Sequence, residues 1–324
     1  MDNFLNPKLY AKDVEQLPTR NGYGDGLVLA AEKDVNVVGL CADLTGSVCM
    51  LAFAKKFPER FIQVGVAEQN MASVAAGLAV EGKIPFFASY AVFSPGRSWD
   101  QIRVNGCYNN ANIKVVGAHA GISVGPDGAT HQALEDIAIM RVLPNMIVIV
   151  PCDALETKKA TLAAAAHKGP VYLRLTREKT PIMTTEQTPF VIGKASVYRE
   201  GTDITIVGCG PLLYEALIAA EQLKGKVSVE VINCPTIKPM DTETILASVK
   251  KTKVVVTVEE HQITGGLGGA ICELLSEQYP IPVIRVGMPD SFGESGNPDE
   301  LLTKYGMKAG DIVRAVQKAL SLKH

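Results

Sequence analysis

The chain has 324 residues, of which 47% are hydrophobic and 20% charged, and it carries a net charge of −2 at pH 7. This length suits two domains better than one core, and no apolar run approaches the roughly 18 residues of a membrane span. The near-neutral charge, without a basic stripe carrying aromatic residues, argues against a nucleic-acid partner. The mean hydropathy of +0.14 predicts apolar subunit interfaces and therefore an oligomer.

The seven cysteines are scattered and include no C-x-x-C pair. Their neighbours are apolar, as in GLCADL and VINCPT, so we expect reduced cysteines in the core and no metal site. The first residues, MDNFLNPKLYAKD, contain neither the basic nor the apolar segment of a targeting signal. These features favour a cytoplasmic protein.

Short β-branched runs alternate with longer Ala-rich stretches, which is the pattern of parallel sheets covered by helices. Six strands are predicted in the first half, at 35–40, 60–65, 85–90, 113–119, 146–151 and 170–175. A helix with Asp153 as its N-cap is predicted over 153–166.

The stretch 178–192, EKTPIMTTEQTPFVI, lacks periodicity and predicts a linker or surface crossing. A second alternation follows, with strands at 203–210, 227–235, 252–261 and 280–289 and helices at 211–223, 267–278 and 309–322. We therefore expect an α/β protein of two open domains. The first, with a mostly parallel sheet, spans 1–187, and a smaller one spans 188–324.

One carboxylate stands out in the apolar segment FIQVGVAEQNMASVAAGLAVEG, residues 61–82. Glu68 falls between a predicted buried strand and a helix rich in Ala and Gly. A carboxylic acid in apolar surroundings has a raised pKa and can share a proton at neutral pH, which suits a ring nitrogen that must be protonated. Helix-end carboxylates are also common, so the residues alone leave both interpretations open.

The segment GAHAGISVGPDGATHQALEDIA, residues 117–138, combines His119, Asp127 and His131 with four glycines. It predicts a loop at the carboxyl end of a strand, where open α/β sheets bind their ligands, and glycines let a ligand approach the backbone closely. This favours a functional site. The alternative is a glycine loop that caps a helix, with histidines bonded to local carbonyls.

Other candidate residues carry a weaker signal. Tyr90 and Phe93 lie near Arg97 in SYAVFSPGR, a spacing found in cores as well as in ligand platforms. Arg20, Ser47 and Arg177 are unremarkable singly, although arginine suits a bidentate grip on phosphate.

Taken together, these segments resemble the transketolase family. The pyrimidine-binding domain of that family is similar to PTRNGYGDGL, GLCADLTGS, FIQVGVAEQNMASVAAGLA, FASYAVF, AHAGISVGPDGATHQALEDIAIMRVLPNMIVIVPCD and VYLRLTR. The segment VEEHQITGGLGGAI, residues 258–271, resembles the C-terminal domain of the same family and of its relatives. The resemblance covers the chain nearly end to end, and it implies a pyrimidine-binding domain followed by a transketolase C-terminal domain.

The resemblance implies a cofactor, thiamine diphosphate, and residues that bind it. Glu68 is implied to hydrogen-bond the pyrimidine ring nitrogen and to promote the tautomer that activates the cofactor. Tyr90 and Phe93 are implied to pack on the pyrimidine, and Asp43 to lie near the cofactor.

The resemblance also implies residues for a sugar phosphate. Asp127 and His131 are implied to meet hydroxyls around the bond that is cleaved, with His131 catalytic alongside Glu68. Residues implied to hold the phosphate are Arg20, Ser47, His119 and Arg177. The implied reaction is transfer of a two-carbon ketol unit between phosphorylated sugars. In that reaction His119 and Arg177 are implied to bind the substrate.

Two features depart from the family pattern. A third aromatic of the pyrimidine pocket falls on Gly96, and the segment SPGRSWDQ that contains it is more similar to the deoxyxylulose phosphate synthase branch. The N-terminal domain that grips Mg²⁺ and diphosphate is expected to be absent. The segment GYGDGL, residues 22–27, is not followed by an Asn around residues 50–56, MLAFAKK, to complete that motif, and Asp25 is expected to be a favourable charge in the first turn of a helix.

The resemblance therefore implies the C-terminal half of a transketolase split over two polypeptides. It implies a heterotetramer, that is, a dimer of heterodimers. In each heterodimer this chain is paired with an N-terminal-half subunit, which is implied to bind Mg²⁺ for the most part. The alternatives are the beta subunit of a thiamine-diphosphate 2-oxo acid dehydrogenase, an enzyme like deoxyxylulose phosphate synthase, and a paralogue that keeps the fold as a scaffold.

Overall fold

The computed structural model describes residues 4–323 as two large sheets flanked by helices. The strands are β1 (Gln16–Pro18), β2 (Val37–Cys41), β3 (Phe61–Gln63), β4 (Ile84–Tyr90), β5 (Lys114–Ala118), β6 (Ile147–Ile149), β7 (Val171–Arg174), β8 (Lys179–Pro181), β9 (Ser196–Arg199), β10 (Ile204–Gly208), β11 (Val229–Asn233), β12 (Thr236–Lys238), β13 (Val255–Gln262) and β14 (Val283–Met288).

The helices lie between these strands. They are α1 (Thr19–Lys33), α2 (Leu51–Lys56), α3 (Glu68–Val80), α4 (Trp99–Gln101), α5 (Asp136–Arg141), α6 (Ala154–Ala166), α7 (Leu213–Gln222), α8 (Thr242–Thr252), α9 (Leu267–Gln278), α10 (Pro298–Lys304) and α11 (Ala309–Ser321). A π-helical segment, Ile102–Tyr108, continues α4, and a 3₁₀ segment covers Ile122–Asp127.

The first sheet has seven strands in the order β12-β6-β7-β5-β4-β2-β3, and the second has five in the order β14-β13-β10-β11-β9. Neighbouring strands are parallel except at one edge of each sheet, where β12 is antiparallel to β6 and β9 to β11. The prediction of two α/β domains with mostly parallel sheets is confirmed.

The strand β12 was not predicted. It belongs to the second half of the chain yet completes the edge of the first sheet, where Thr236 pairs with Ile149. Packing also runs across the two halves, because Val148 and Tyr172 of the first sheet share one buried cluster with Val207 and Ile232 of the second. A three-residue strand has too short a pattern to be recognised from sequence, and only its tertiary partner defines it.

The stretch 178–192 is not the free linker that its composition indicated. Strand β8 pairs with β1, and Thr180 to Thr184 are largely buried. Asp153 caps α6, as predicted, by accepting from Glu156 N at 2.8 Å. Its second carboxylate oxygen accepts from Met183 N and Thr184 N at 2.8 and 2.7 Å, so the N-cap also anchors the segment.

The GYGDGL segment lies inside α1, and the expectation for Asp25 was wrong. Because the helix begins at Thr19, its first turn contains no acidic residue and Asp25 falls in the next turn. The glycines allow α1 to pack closely on α6: a Cβ on Gly22 would lie 1.9 Å from the carbonyl oxygen of Ala154, and one on Gly26 would lie 2.8 Å from Thr161 Cβ.

Five of the seven cysteines are buried, as expected for core residues, while Cys49 and Cys272 are half-buried. Within residues 4–323, none of the helices combines the length and apolarity that a membrane crossing requires.

Candidate active site

The candidate residues gather at the carboxyl-terminal edge of the first sheet. Glu68 follows β3, Tyr90 ends β4, His119 follows β5 and Arg177 follows β7. Since these strands and β2 are parallel neighbours, their carboxyl ends meet at one edge, which is the usual place for a site in an open α/β sheet. Arg20 joins them from the first turn of α1.

Glu68 begins α3 and is only 5% exposed. Its Oε1 lies 3.1 Å from Nη1 of Arg97, whose guanidinium also sits over the ring of Phe93 at 4.1 Å. The expectation of apolar surroundings therefore needs correction, because a half-exposed cation faces the carboxylate. Sequence reasoning did not assign Arg97 a role, and its only signal was its position among the aromatic residues.

Tyr90, Phe93 and the two histidines form one aromatic cluster. The rings of Tyr90 and Phe93 stack at 5.7 Å with an angle of 13°, and Tyr90 stacks on His119 at 3.8 Å. His131 meets Phe93 edge-on at 5.4 Å. The cluster thus joins residues from β4, the segment after β5 and the loop beyond it.

His119 is held in its neutral form. Arg20 Nη1 donates to His119 Nε2 at 2.9 Å, and since a guanidinium only donates, Nε2 accepts and Nδ1 carries the proton. Burial, together with the charges of Arg20, Arg177 and His131, lowers the pKa of His119 to about 3. Within residues 4–323, His119 Nδ1 and Arg20 Nε are buried without a hydrogen-bond partner.

Arg177 lies beside the loop that carries Asp127. Its Nη1 donates to the carbonyl of Val124 at 2.9 Å and lies 3.4 Å from Asp127 Oδ1. Asp127 is exposed, and half-buried His131 bonds Thr130 through Nδ1 at 2.9 Å. Both side chains therefore remain open to a ligand.

Ser47 and Asp43 are less closely joined to this group. Ser47 accepts from Arg20 through its backbone carbonyl, at 2.9 Å. Asp43 is exposed, has φ 61°, and has its backbone N–H bonded to Gln63 Oε1 at 2.8 Å. Among residues 4–323 its carboxylate makes no hydrogen bond or ion pair, so its place near a cofactor stays a prediction.

Gly96, the position of the missing pocket aromatic, has no room for a side chain in this backbone. A Cβ there would lie 2.1 Å from the carbonyl oxygen of Val92. The departure from the family pattern is therefore built into the main chain between Phe93 and Arg97.

These residues fit the pyrimidine end of thiamine diphosphate. An aminopyrimidine needs a shielded acid for its ring nitrogen and aromatic surfaces for its faces. Buried Glu68 contacts Arg97, the guanidinium of Arg97 lies over the ring of Phe93, and Phe93 stacks on Tyr90. The unpartnered donors on His119 and Arg20 fit an anionic or hydroxyl-rich substrate.

The sequence matches two family profiles in succession. Residues 15–183 match the transketolase pyrimidine-binding domain, and residues 193–312 match the transketolase C-terminal domain. This chain therefore belongs to the transketolase family.

Its relatives include proteins described as a section or a subunit of a transketolase. It is 47% identical to a putative transketolase C-terminal section of Methanocaldococcus jannaschii, over 93% of this chain and 96% of the relative. It is 44% identical to a 6-deoxy-6-sulfo-D-fructose transketolase subunit of Clostridium sp. (strain MSTE9), over 96% and 97%. A solved structure described as a split gene transketolase, inactive beta4 tetramer, aligns with a TM-score of 0.88 and 45% identity over 96% of this chain and all of that one.

Proposed function

We propose that this chain is the C-terminal subunit of a split transketolase, which transfers a two-carbon ketol unit between phosphorylated sugars with thiamine diphosphate. One observation supports it most: a buried acid, Glu68, shares a sheet edge with the cationic pair Arg20 and Arg177 around neutral His119. The first group suits an aminopyrimidine, and the second suits a sugar phosphate.

Glu68 would share its proton with the pyrimidine ring nitrogen, while Tyr90 and Phe93 cover the ring and Asp43 lies nearby. Burial matters because a solvated carboxylate would exchange that proton with water instead of holding it at the ring. When bound, thiamine diphosphate supplies the carbon nucleophile that carries the two-carbon unit. Mg²⁺ and the diphosphate would be bound mainly by the partner subunit.

Asp127 and His131 would orient the sugar through its hydroxyls, with His131 able to hold or move a hydroxyl proton. Arg20 and Arg177 would attract the phosphate, because guanidinium groups bind tetrahedral oxyanions with charge-assisted hydrogen bonds. The Nδ1–H of His119 would add a neutral donor, and Ser47 would complete this end of the site.

The partner subunit would cover exposed apolar side chains at both ends of α3 and on the segment that packs on it. Val66 is 71% exposed just before α3, Val80 is 73% exposed at its end, and Tyr108 is 85% exposed at the end of the π-helical segment that packs on α3. Large apolar side chains left this exposed favour a protein interface. We propose a dimer of heterodimers in the cytoplasm, with no activity from this chain alone, in line with the inactive beta4 tetramer of its structural relative.

The choice of sugar is a finer part of the proposal. The Clostridium relative is described as acting on a sulfosugar, whose anionic group is tetrahedral like a phosphate. We propose sugar phosphates of the pentose phosphate type for this chain.

Reconstitution with the N-terminal-half subunit tests the proposal. The purified pair, with thiamine diphosphate and Mg²⁺, is offered xylulose 5-phosphate with ribose 5-phosphate, and separately pyruvate with an electron acceptor or with glyceraldehyde 3-phosphate. We expect ketol transfer with the first mixture and none from either subunit alone. Turnover confined to pyruvate would instead identify a 2-oxo acid dehydrogenase or a deoxyxylulose phosphate synthase, and assembly without any turnover would indicate a scaffold.

A further inference from the structure

The loop 121–131, which carries Asp127 and His131, depends on glycine for its shape. Gly121, Gly125 and Gly128 have φ values of 92°, 78° and 76°, a region that other residues rarely adopt. Such a loop has few conformational restraints of its own, so its neighbours determine where Asp127 and His131 lie.

On one side the C-terminal domain contacts this loop through Glu260 of β13. Oε1 of Glu260 accepts a hydrogen bond from the backbone N–H of Ser123 at 2.6 Å, and Glu260 is only 5% exposed. The approach is close, since a Cβ on Gly121 would lie 2.2 Å from the same oxygen. A buried carboxylate on a central strand is thus bonded to the main chain of the loop.

Further contacts from the C-terminal domain reinforce this one. Gln132 Nε2 donates to the carbonyls of Ile122 and Gly125 at 3.2 and 3.3 Å and to that of Glu294 at 2.9 Å. Pro298, at the start of α10, lies against Gly125, where a Cβ would come within 2.9 Å of its Cγ.

On the opposite side Arg177 of the first domain donates to the carbonyl of Val124 at 2.9 Å. The loop is therefore held between two domains, with Ser123 bonded to one and Val124 to the other. Asp127 lies three residues after Val124, and its side chain is about one-third exposed.

We propose that Glu260 is a positioning residue for the sugar: by fixing Ser123 it sets the loop so that Asp127 and His131 face the substrate. In this arrangement the C-terminal domain helps to hold the loop 121–131 in position at the sugar site. This inference rests on the proposed function, in which Asp127 and His131 bind the sugar.

The neighbouring residue Glu259 provides a matched control. It lies on the same strand and is equally buried, but it accepts from Leu267 N at 2.7 Å and Gly268 N at 2.8 Å at the start of α9. Within residues 4–323, none of the hydrogen bonds of its carboxylate reaches the loop. Loss of a buried carboxylate from β13 can thus be separated from loss of the contact with Ser123.

Hydrogen exchange of the full chain in its complex tests the contact without any substrate. In Glu260→Met, which keeps the side-chain length but has no acceptor oxygen, we expect peptides covering 121–131 to exchange roughly tenfold faster. Glu260→Gln, which keeps an acceptor, should restore most of the protection. Glu259→Met should speed exchange near the start of α9 and not in the loop. Unchanged exchange of the loop in Glu260→Met would overturn the proposal.

Kinetics of the reconstituted pair then test the positioning role. With xylulose 5-phosphate as donor, Glu260→Met should raise the donor KM roughly tenfold and leave the half-saturating thiamine diphosphate concentration unchanged, since Glu68 is untouched. Glu259→Met should leave the donor KM unchanged. Faster exchange with an unchanged donor KM would show that Glu260 is merely structural. A wild-type pair that is inactive on sugar phosphates would refute the proposed function. In that case the hydrogen-exchange data would still show whether Glu260 restrains the loop through Ser123.

Discussion

Arg97 Nη1 lies 3.1 Å from Glu68 Oε1, so the buried carboxylate proposed to serve the cofactor already has a cationic neighbour. The guanidinium is half exposed and rests on Phe93, whereas Glu68 is buried. The acid is thus largely shielded from water, and a cation lies beside it. A ligand that binds Glu68 must also lie close to Arg97. Glu68 is therefore the most informative residue to change.

Glu68→Gln should leave assembly intact and lower kcat of the reconstituted pair by about 10²- to 10⁴-fold, the range found when a positioned acid or base is lost. The amide keeps the shape of the side chain but cannot share a proton with a ring nitrogen. Steady-state kinetics with xylulose 5-phosphate and ribose 5-phosphate measure this effect. Glu81→Gln, at the exposed far end of α3, is the control and should be active. Wild-type kcat in Glu68→Gln would refute the catalytic assignment.

Arg20→Met should weaken binding of phosphorylated substrates selectively. A hydrogen bond to a charged group contributes about 1.5–3 kcal/mol, so the KM for a sugar phosphate should rise about 10- to 100-fold. Catalytic efficiency with an unphosphorylated ketose should change little, because no phosphate contact is lost. Arg314→Met, on the exposed side of α11, serves as the control. An equal loss with both kinds of sugar would argue against a phosphate site at Arg20.

The neutral state of His119 predicts a pH dependence of stability. The pKa of His119 is lowered from 6.5 to about 3, so between these values the unfolded chain binds a proton that the folded chain does not. The contribution of this residue to the free energy of unfolding is therefore complete above pH 6.5 and is lost as pH falls toward 3. By pH 5 the loss should reach about 2 kcal/mol.

Urea unfolding of the wild type and of His119→Phe between pH 7 and pH 5 measures this contribution. The phenylalanine ring can still stack on Tyr90 but binds no proton, so the variant should lose less stability over this range than the wild type. Parallel stability curves for the two proteins would mean that His119 is already able to take up a proton when folded.

Gly128→Ala should destabilise the protein through the loop 121–131. Gly128 has φ 76°, and an added Cβ would lie 2.5 Å from Ser295 Oγ. Backbone strain of this kind costs about 1–3 kcal/mol before the steric overlap is added. Gly225→Ala is a matched control, with φ 79° and no atom within 4 Å of the added Cβ. The urea midpoint should fall further for Gly128→Ala than for Gly225→Ala. Equal shifts would mean that Ser295 moves aside without a measurable cost in stability.

Much of the fold could be predicted because its signals are local. The ten predicted strands all occur, and all but β4 are shorter than predicted; β3, for example, ends at Gln63, just before Gly65 at φ 72°. The helix after Asp153 begins as predicted because an N-cap acts on the residues directly after it. Where a signal was not local the prediction failed, as with β12 and the buried segment from Thr180 to Thr184.

The features of the candidate site also fall into those that could be predicted from local signals and those that could not. The sequence by itself determined which residues end the parallel strands, and therefore that Glu68, Tyr90 and His119 reach one edge of a sheet. Only the tertiary structure decided that Arg97 faces Glu68, that Arg20 fixes the proton of His119, and that Glu260 holds Ser123. These pairs are 29, 99 and 137 residues apart along the chain. Contacts at such separations leave no periodic pattern, because they depend on how separate elements pack against one another and not on the conformation of any one segment.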